Sequence, residues 1–343
     1  MDKVQTCRSI PHLCSDIWSE IFQYFAVTDL YSTLKNISST SDEVLFNGKY
    51  RNQLRGLTVD SHTTKLPNEL PLDQVISLTI QDGISFDILQ KCCCLRSLKL
   101  VGQFEWIIPL VTKCSQISMH LEQLSIVTPN IKLLHQLLSC ILSFDSLRRL
   151  EICADEQEEK IEANNFPLFP SKIEHLILNL CPAITYGSLA YIQPGFINIR
   201  YLNISLFRHD RISVNLSNFP YLRSLQLSLL EPPFEEINRL VATMPNLVKL
   251  KLYGIVDDEN FIYSHKWLHL LESTPSLLRI VMDVSFQETR SIFYNENLHK
   301  ALHGINLSLI CMIDDFDCYS YEERQQRWWQ LEGVIRKNYC KTN

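Results

Sequence analysis

The residues with the greatest capacity for chemistry are the 12 cysteines and 10 histidines. Metal binding needs several thiolates or imidazoles at fixed spacing, and nucleophilic catalysis needs one activated group beside a base. Cys92-Cys93-Cys94 is the densest thiol cluster, but no C-x-x-C or H-x₃₋₅-H tract accompanies it. Adjacent cysteines also diverge in direction, so this run reads as small buried hydrophobes ahead of a strand. His12, His62, His120 and His135 are scattered, and no nucleophile stands in a recognisable turn. The acidic run from Asp155 to Glu159 reads as a solvated loop or convex helix, not as an acid–base pair. No G-x-x-x-x-G-K-[ST] or G-x-G-x-x-G occurs, and only 9 glycines are present. The expectation is a non-enzyme with no catalytic residue, no metal and no cofactor.

Composition agrees with a binding protein. Hydrophobic residues are 46% and charged residues 20%, ordinary for a folded chain. A formal net charge of −6 gives no bulk attraction for nucleic acid or anionic membrane. The opening MDKVQTCRSIPHLCSDIW lacks the apolar core of a signal peptide, and no stretch approaches about 20 apolar residues. A reducing compartment is expected, cytoplasmic and/or nuclear, with the cysteines as thiols.

The elements that would position a binding surface come from a repeat. The pattern L-x-x-L-x-L, with Ile, Val or Met allowed, starts at Leu95, Leu121, Leu147, Ile173, Ile199, Leu222, Leu247 and Leu277. The intervals are 26, 26, 26, 26, 23, 25 and 30 residues. Weaker copies begin at Leu54, Val75 and Leu302, giving about ten or eleven units. Positions four and six alternate along a short strand and point into the core, and position one turns inward before it. Between strands, helical spacing places Ile131, Leu134, Leu138 and Ile141 on one face, and Ile237, Leu240, Val241 and Met244 on another. Pro220, Pro245 and Pro275 stand two residues before a strand-opening Leu, where a helix must stop. The expected fold class is α/β: a leucine-rich-repeat solenoid over residues 50–320, a horseshoe with parallel strands inside and helices outside. Residues 321–343 read as a C-terminal capping helix, with Trp328, Leu331 and Ile335 on one side. Docking that helix on a membrane or partner is the sharper alternative.

Residues 10–48 lack the hexamer and read as a small all-α module, with Ile17, Ile21 and Phe25 at four-residue steps and Phe22 and Trp18 beside them on a broad apolar face. Leu13, Asp16, Ile17, Ile21, Phe22, Tyr24, Phe25, Asp29 and Leu30 stand in register with L-P-x-E-ϕ-x-x-x-I-ϕ-x-Y-L-x-x-x-D-L, where ϕ is apolar. This stretch resembles an F-box, the helical module that binds the Skp adaptor of cullin-based ubiquitin ligases. Cys14 stands where the family has its proline. A plain helical cap over the first repeat is the other reading. In addition, the segment Leu176 to Leu189 resembles the cysteine-containing leucine-rich repeat through Leu178, Cys181, Ile184, Thr185 and Gly187, a subtype frequent in F-box proteins.

The resemblance implies a substrate-recognition subunit of an SCF-type ligase. Leu13, Cys14, Ile17, Ile21, Phe22, Phe25 and Leu30 would bind the Skp adaptor and, through it, cullin. Positions three, five and seven of each hexamer face outward on the strands. Tyr201, Lys249, Lys251, Tyr253 and Arg279 are the candidate target-binding residues there, because aromatic and cationic side chains anchor protein interfaces. A repeat scaffold with a degenerate F-box, outside any ligase, is the alternative. The expected partners are an adaptor and one target protein, without nucleic acid or membrane.

Overall fold

The computed structural model describes residues 13–22, 24–25, 27–34, 36–46, 54–60, 70–83, 86–116, 120–132, 134–157, 171–181, 184–185, 189–190, 193–207, 218–287, 296–313 and 327–337. It is an α/β protein whose strands are mostly parallel. By compactness the chain falls into two units, Met1–Thr128 and Pro129–Asn343.

The first unit begins with helices over Ser15–Phe22 and Ser39–Phe46, which pack on each other. The second starts with a reciprocal cap: Ser38 N donates to Ser41 Oγ at 3.2 Å, and Ser41 N donates to Ser38 Oγ at 3.0 Å. Two amide donors left open by the first helical turn are thereby satisfied. Between them, Val27–Asp29 is helical and Leu30–Leu34 opens into a wider turn. The broad apolar face of the first helix divides. Trp18 and Phe22 are buried with ring centroids 5.6 Å apart, while Ile17 and Phe25 stay outside. Burying the larger rings removes more apolar area from water, and i,i+4 spacing places them on one face.

Strands β1 (Leu57–Val59), β2 (Ser77–Gln81), β3 (Ser97–Val101) and β4 (Gln123–Ile131) follow, each parallel to the next. Leu57, Leu78, Leu98 and Leu124 share one register row, and Val59, Ile80, Leu100 and Ile126 the next. All eight are buried. These are hexamer positions four and six, as expected.

The second unit continues the pattern with β5 (Arg149–Gln157), β6 (His175–Leu180), the two-residue β7 (Ile184–Thr185), β8 (Tyr201–Phe207), β9 (Ser224–Leu230), β10 (Lys249–Val256) and β11 (Arg279–Gln287). β5, β6, β8, β9, β10 and β11 pair in that order, all parallel, and β7 pairs with the end of β8. The turn before each strand is fixed by a shared carbonyl. Arg148 O accepts from the amides of Glu174 and His175, Glu174 O from Arg200 and Tyr201, and Arg200 O from Arg223 and Ser224. The same pair of bonds recurs at Arg223 O and Val248 O. A second series runs beside it: Asn198 Nδ2 donates to Ser171 O, Asn246 Nδ2 to Pro220 O and Ser276 Oγ to Pro245 O, all within 2.7 Å. Each repeat here thus satisfies backbone acceptors of the repeat before it, which locks parallel register. Helices Leu134–Ile141, Phe234–Ala242 and Ser264–Ser273 return the chain between strands. Phe234, Phe261 and Trp267 form an aromatic cluster that reaches Phe286 of β11, so these helices share the core of the sheet's buried rows.

Three expectations need correction. Residues 327–336, expected in a helix, form strand β13, antiparallel to β11 and to β12 (Leu307–Ile313). Leu331 and Ile335 are four apart, which suits one face of a helix or of a strand equally; the burial of Trp329, Leu331 and Ile335 follows period two. Gly333 settles the choice, since its φ of +145° and an ideal Cβ 2.3 Å from Asn306 O admit no side chain. The weak repeat at Leu302 also fails: Glu296–Gly304 is helical, and the strand starts only at Leu307. Lys337, just after β13, donates from Nζ to Pro275 O at 2.8 Å and Leu271 O at 3.2 Å, much as Ser276 Oγ donates to Pro245 O one repeat earlier. Finally, the acidic run is neither loop nor helix at its start, because β5 extends through Asp155 and Glu156; residues 158–159 lie outside the described residues.

Candidate functional site

Two surfaces carry the candidate residues, one in each unit. On the helical segment, the seven adaptor-contact candidates divide. Cys14, Ile17 and Phe25 are exposed, the last two at 44% and 38%, and Tyr24 is exposed beside them. Leu13 and Ile21 are half-buried. Phe22 and Leu30 are buried, which corrects their assignment: they support the segment from within and present no surface to a partner. Cys14 O receives the Trp18 amide at 3.2 Å, so the residue standing where the family has proline begins the helix. Ile17 and Phe25 are thus the large apolar side chains that this segment leaves at its surface.

In the second unit, the outward face of β8 to β11 gathers all five target-binding candidates. Tyr201, Ser224, Lys249 and Arg279 occupy one register row, Asn203, Gln226, Lys251 and Val281 the next, and Ser205, Ser228, Tyr253 and Asp283 the third. Tyr201 stacks on His175 of β6, with centroids 5.7 Å apart at 27°, and its hydroxyl donates to Gln226 Oε1 at 3.3 Å. Lys251 Nζ donates to the same oxygen at 3.5 Å. Lys249 and Arg279 are direct neighbours across β10 and β11, about 5 Å apart at the backbone. Burial, and then repulsion by Lys251 and Arg279, holds the Lys249 ammonium below its ordinary value. Burial pushes the Tyr201 phenol up; Arg149 opposes this, while Tyr253 and Glu151 add to it.

Two features of this face escaped the sequence reading. A fourth row holds Phe207, Leu230 and Ile255, adjacent in register and all exposed, at 44%, 39% and 37%. The hexamer ends before these positions, although period two extended along each strand reaches them. Ile177, by contrast, was expected to face solvent but is 8% exposed, between Glu151 and Asn203 in register. At the strand starts, Glu174 lies between Arg148 (3.3 Å) and Arg200 (3.4 Å), beside a cleft of about 310 Å³ also lined by Lys172, Asn198 and Tyr221. These ion pairs are solvent-exposed and contribute little stability.

Among the described residues no group of three His, Cys, Asp or Glu is placed to hold a metal ion. Of the triple run only Cys92 is buried; Cys93 and Cys94 are exposed, contrary to their reading as buried hydrophobes. Burial, with Cys93 and Asp73 adding to it, pushes the Cys92 thiol up to about 12, and burial alone does the same for Cys114. Unfolding returns both to about 9.0, so between pH 9 and 12 the unfolded chain binds fewer protons and stability falls as pH rises. The expected slope is about 1.4 kcal/mol per thiol per pH unit. Urea unfolding of the wild type and of a Cys92→Ala, Cys114→Ala variant, across that window, checks it. Parallel pH dependences for the two would contradict the assignment.

Among the described residues no helix is long and apolar enough to cross a membrane. Comparison of the sequence with protein-family models and with curated proteins finds no match.

Proposed function

We propose that the chain is the substrate-recognition subunit of an SCF-type ubiquitin ligase, built from an F-box and a leucine-rich-repeat solenoid. Residues 10–48 dock on the Skp adaptor, and the outward strand face holds a target protein. The observation that carries this reading is the pairing of Ile17 and Phe25, outside, with Trp18 and Phe22, inside. Ile17 and Phe25, with Cys14 and Tyr24 also exposed, supply apolar and aromatic side chains on the outside of the segment where the F-box pattern puts adaptor contacts. The strand face supports the second half, since aromatic and cationic residues occupy its outward rows while aliphatics fill the inward ones.

The chain does no chemistry in this scheme. Holding a target beside a charged ubiquitin-conjugating enzyme raises the local concentration of its lysines. The working compartment is cytoplasmic and/or nuclear. Affinity purification of the whole chain from cells tests the assignment, with recovery of a Skp-family adaptor and a cullin as the expected result. Reproducible absence of both favours the second reading, a repeat scaffold with a degenerate F-box, to which Cys14 in the proline position gives specific support.

A further inference from the structure

The outward face of β8 to β11 is not uniform along its strands. At the strand starts it carries Lys249, Lys251 and Arg279 within two register rows. At the strand ends it carries Phe207, Leu230 and Ile255 in one row. Between them, Ser205 and Ser228 are small and leave a shallow floor, with Tyr253 rising on one side. From Lys251 to Ile255 is about 13 Å along the strand, and from Lys249 about 20 Å.

Acidic residues bound the cationic end without entering it. Asp283 sits beyond Tyr253, where its Oδ1 accepts from Gln330 Nε2 at 2.8 Å, and its register partner on β13 is Glu332. Glu151 lies on β5, four strands from β10, and pairs with Arg149 at 3.6 Å. The three cations therefore form a local positive field on a chain of net charge −6. Lys251 is also held in place, because Gln226 Oε1 receives both it and Tyr201. A positioned donor loses less side-chain freedom on binding.

We propose that this face recognises one extended acidic segment of a partner protein, with its carboxylates on Lys249, Lys251 and Arg279 and a bulky apolar side chain on Phe207, Leu230 and Ile255. The inference rests on the target-surface reading above and names the chemistry of the target. Two lysines and one arginine in neighbouring rows suit several separate carboxylates, since lysine acts as a point charge without a fixed fork. A nucleic acid would leave the apolar row uncovered, and the distance between the two ends corresponds to about four to six extended residues. Charge sets register and on-rate here, and the apolar contact slows release.

The test uses the whole chain and a fluorescein-labelled peptide, Asp-Glu-Asp-Ser-Gly-Ser-Gly-Leu-Phe-Leu, together with its reversed order, followed by anisotropy. Binding of one order is expected, weakening at least about tenfold in a Lys249→Glu, Lys251→Glu variant and about tenfold in a Phe207→Ser, Leu230→Ser variant. A Lys249→Gln, Lys251→Gln variant should fall between wild type and the charge reversal, with an unchanged circular dichroism spectrum. Raising salt from about 0.05 to about 0.5 M should weaken the acidic contact and leave the apolar one. Binding that is absent, that survives charge reversal, or that is equal for peptides lacking the Leu-Phe-Leu end overturns the proposal. So does preferential binding to vesicles of anionic lipid. Adaptor capture is scored on the same preparations. Peptide binding without capture supports this site and removes the ligase role, whereas capture without peptide binding overturns this site alone.

Discussion

Replacement of Trp267 by alanine should lower the unfolding free energy by about 3–5 kcal/mol, enough to leave little folded protein at ordinary stabilities. The indole is fully buried in the helix Ser264–Ser273. It meets Phe234 edge-on with centroids 4.7 Å apart and Phe261 at 5.8 Å, while Nε1 donates to Phe261 O at 2.7 Å. Alanine removes the largest side chain in the cluster, opens a cavity that rigid neighbours fill only in part, and orphans a buried carbonyl. Trp267→Phe separates these terms. It keeps a ring against Phe234 and loses the N–H, so about 1–2 kcal/mol is expected. Urea denaturation followed by circular dichroism measures both, and a loss under about 1 kcal/mol for the alanine variant would contradict the described core.

Gly254→Ala should cost about 3 kcal/mol or more, for a reason outside side-chain packing. Gly254 has φ +111°, which L residues rarely adopt, and an ideal Cβ there stands 2.3 Å from Leu229 O on the neighbouring strand. Backbone strain of this kind costs about 1–3 kcal/mol by itself. The overlap with a carbonyl adds to it, because β9 and β10 can relieve it only by separating. The residue also lies between Tyr253 and Ile255, so a variant that still folds should lose peptide binding together with stability. Thermal unfolding and the anisotropy measurement read the two effects. A melting temperature within about 2 °C of wild type would show that the strand bends elsewhere.

The repeat was legible because its signal is redundant. Each hexamer alone is unremarkable, but a parallel strand buries positions four and six regardless of what lies between, and eight copies in phase leave little freedom in register. The inward rows from β1 to β11 follow directly. Legibility ended where one spacing serves two structures: Leu331 and Ile335 satisfy periods of 3.6 and 2 alike, and only the close approach at Gly333, a backbone property, decides for a strand. A broad apolar face likewise does not say which of its members go inside. Ile17, Ile21 and Phe25 stand at four-residue steps with Trp18 and Phe22 beside them, and the core takes the two larger rings. The candidate site was legible as a set of residue types at outward positions, but its polarity was not. Phe207, Leu230 and Ile255 come from strands whose intervals differ, and their alignment in one row exists only through pairing.

The ligase assignment stands or falls on the helical segment, and one binding measurement addresses it without cells or a known target. Purified Skp-family adaptor is titrated calorimetrically into the whole chain and into an Ile17→Asp, Phe25→Asp variant. Both substituted side chains are exposed, so the variant should keep its fold. Saturable binding to the wild type, weakened at least about hundredfold in the variant, is the predicted result, since two charges would enter an apolar interface unpaired. No heat of binding to the wild type, or equal affinity for both proteins, would contradict it.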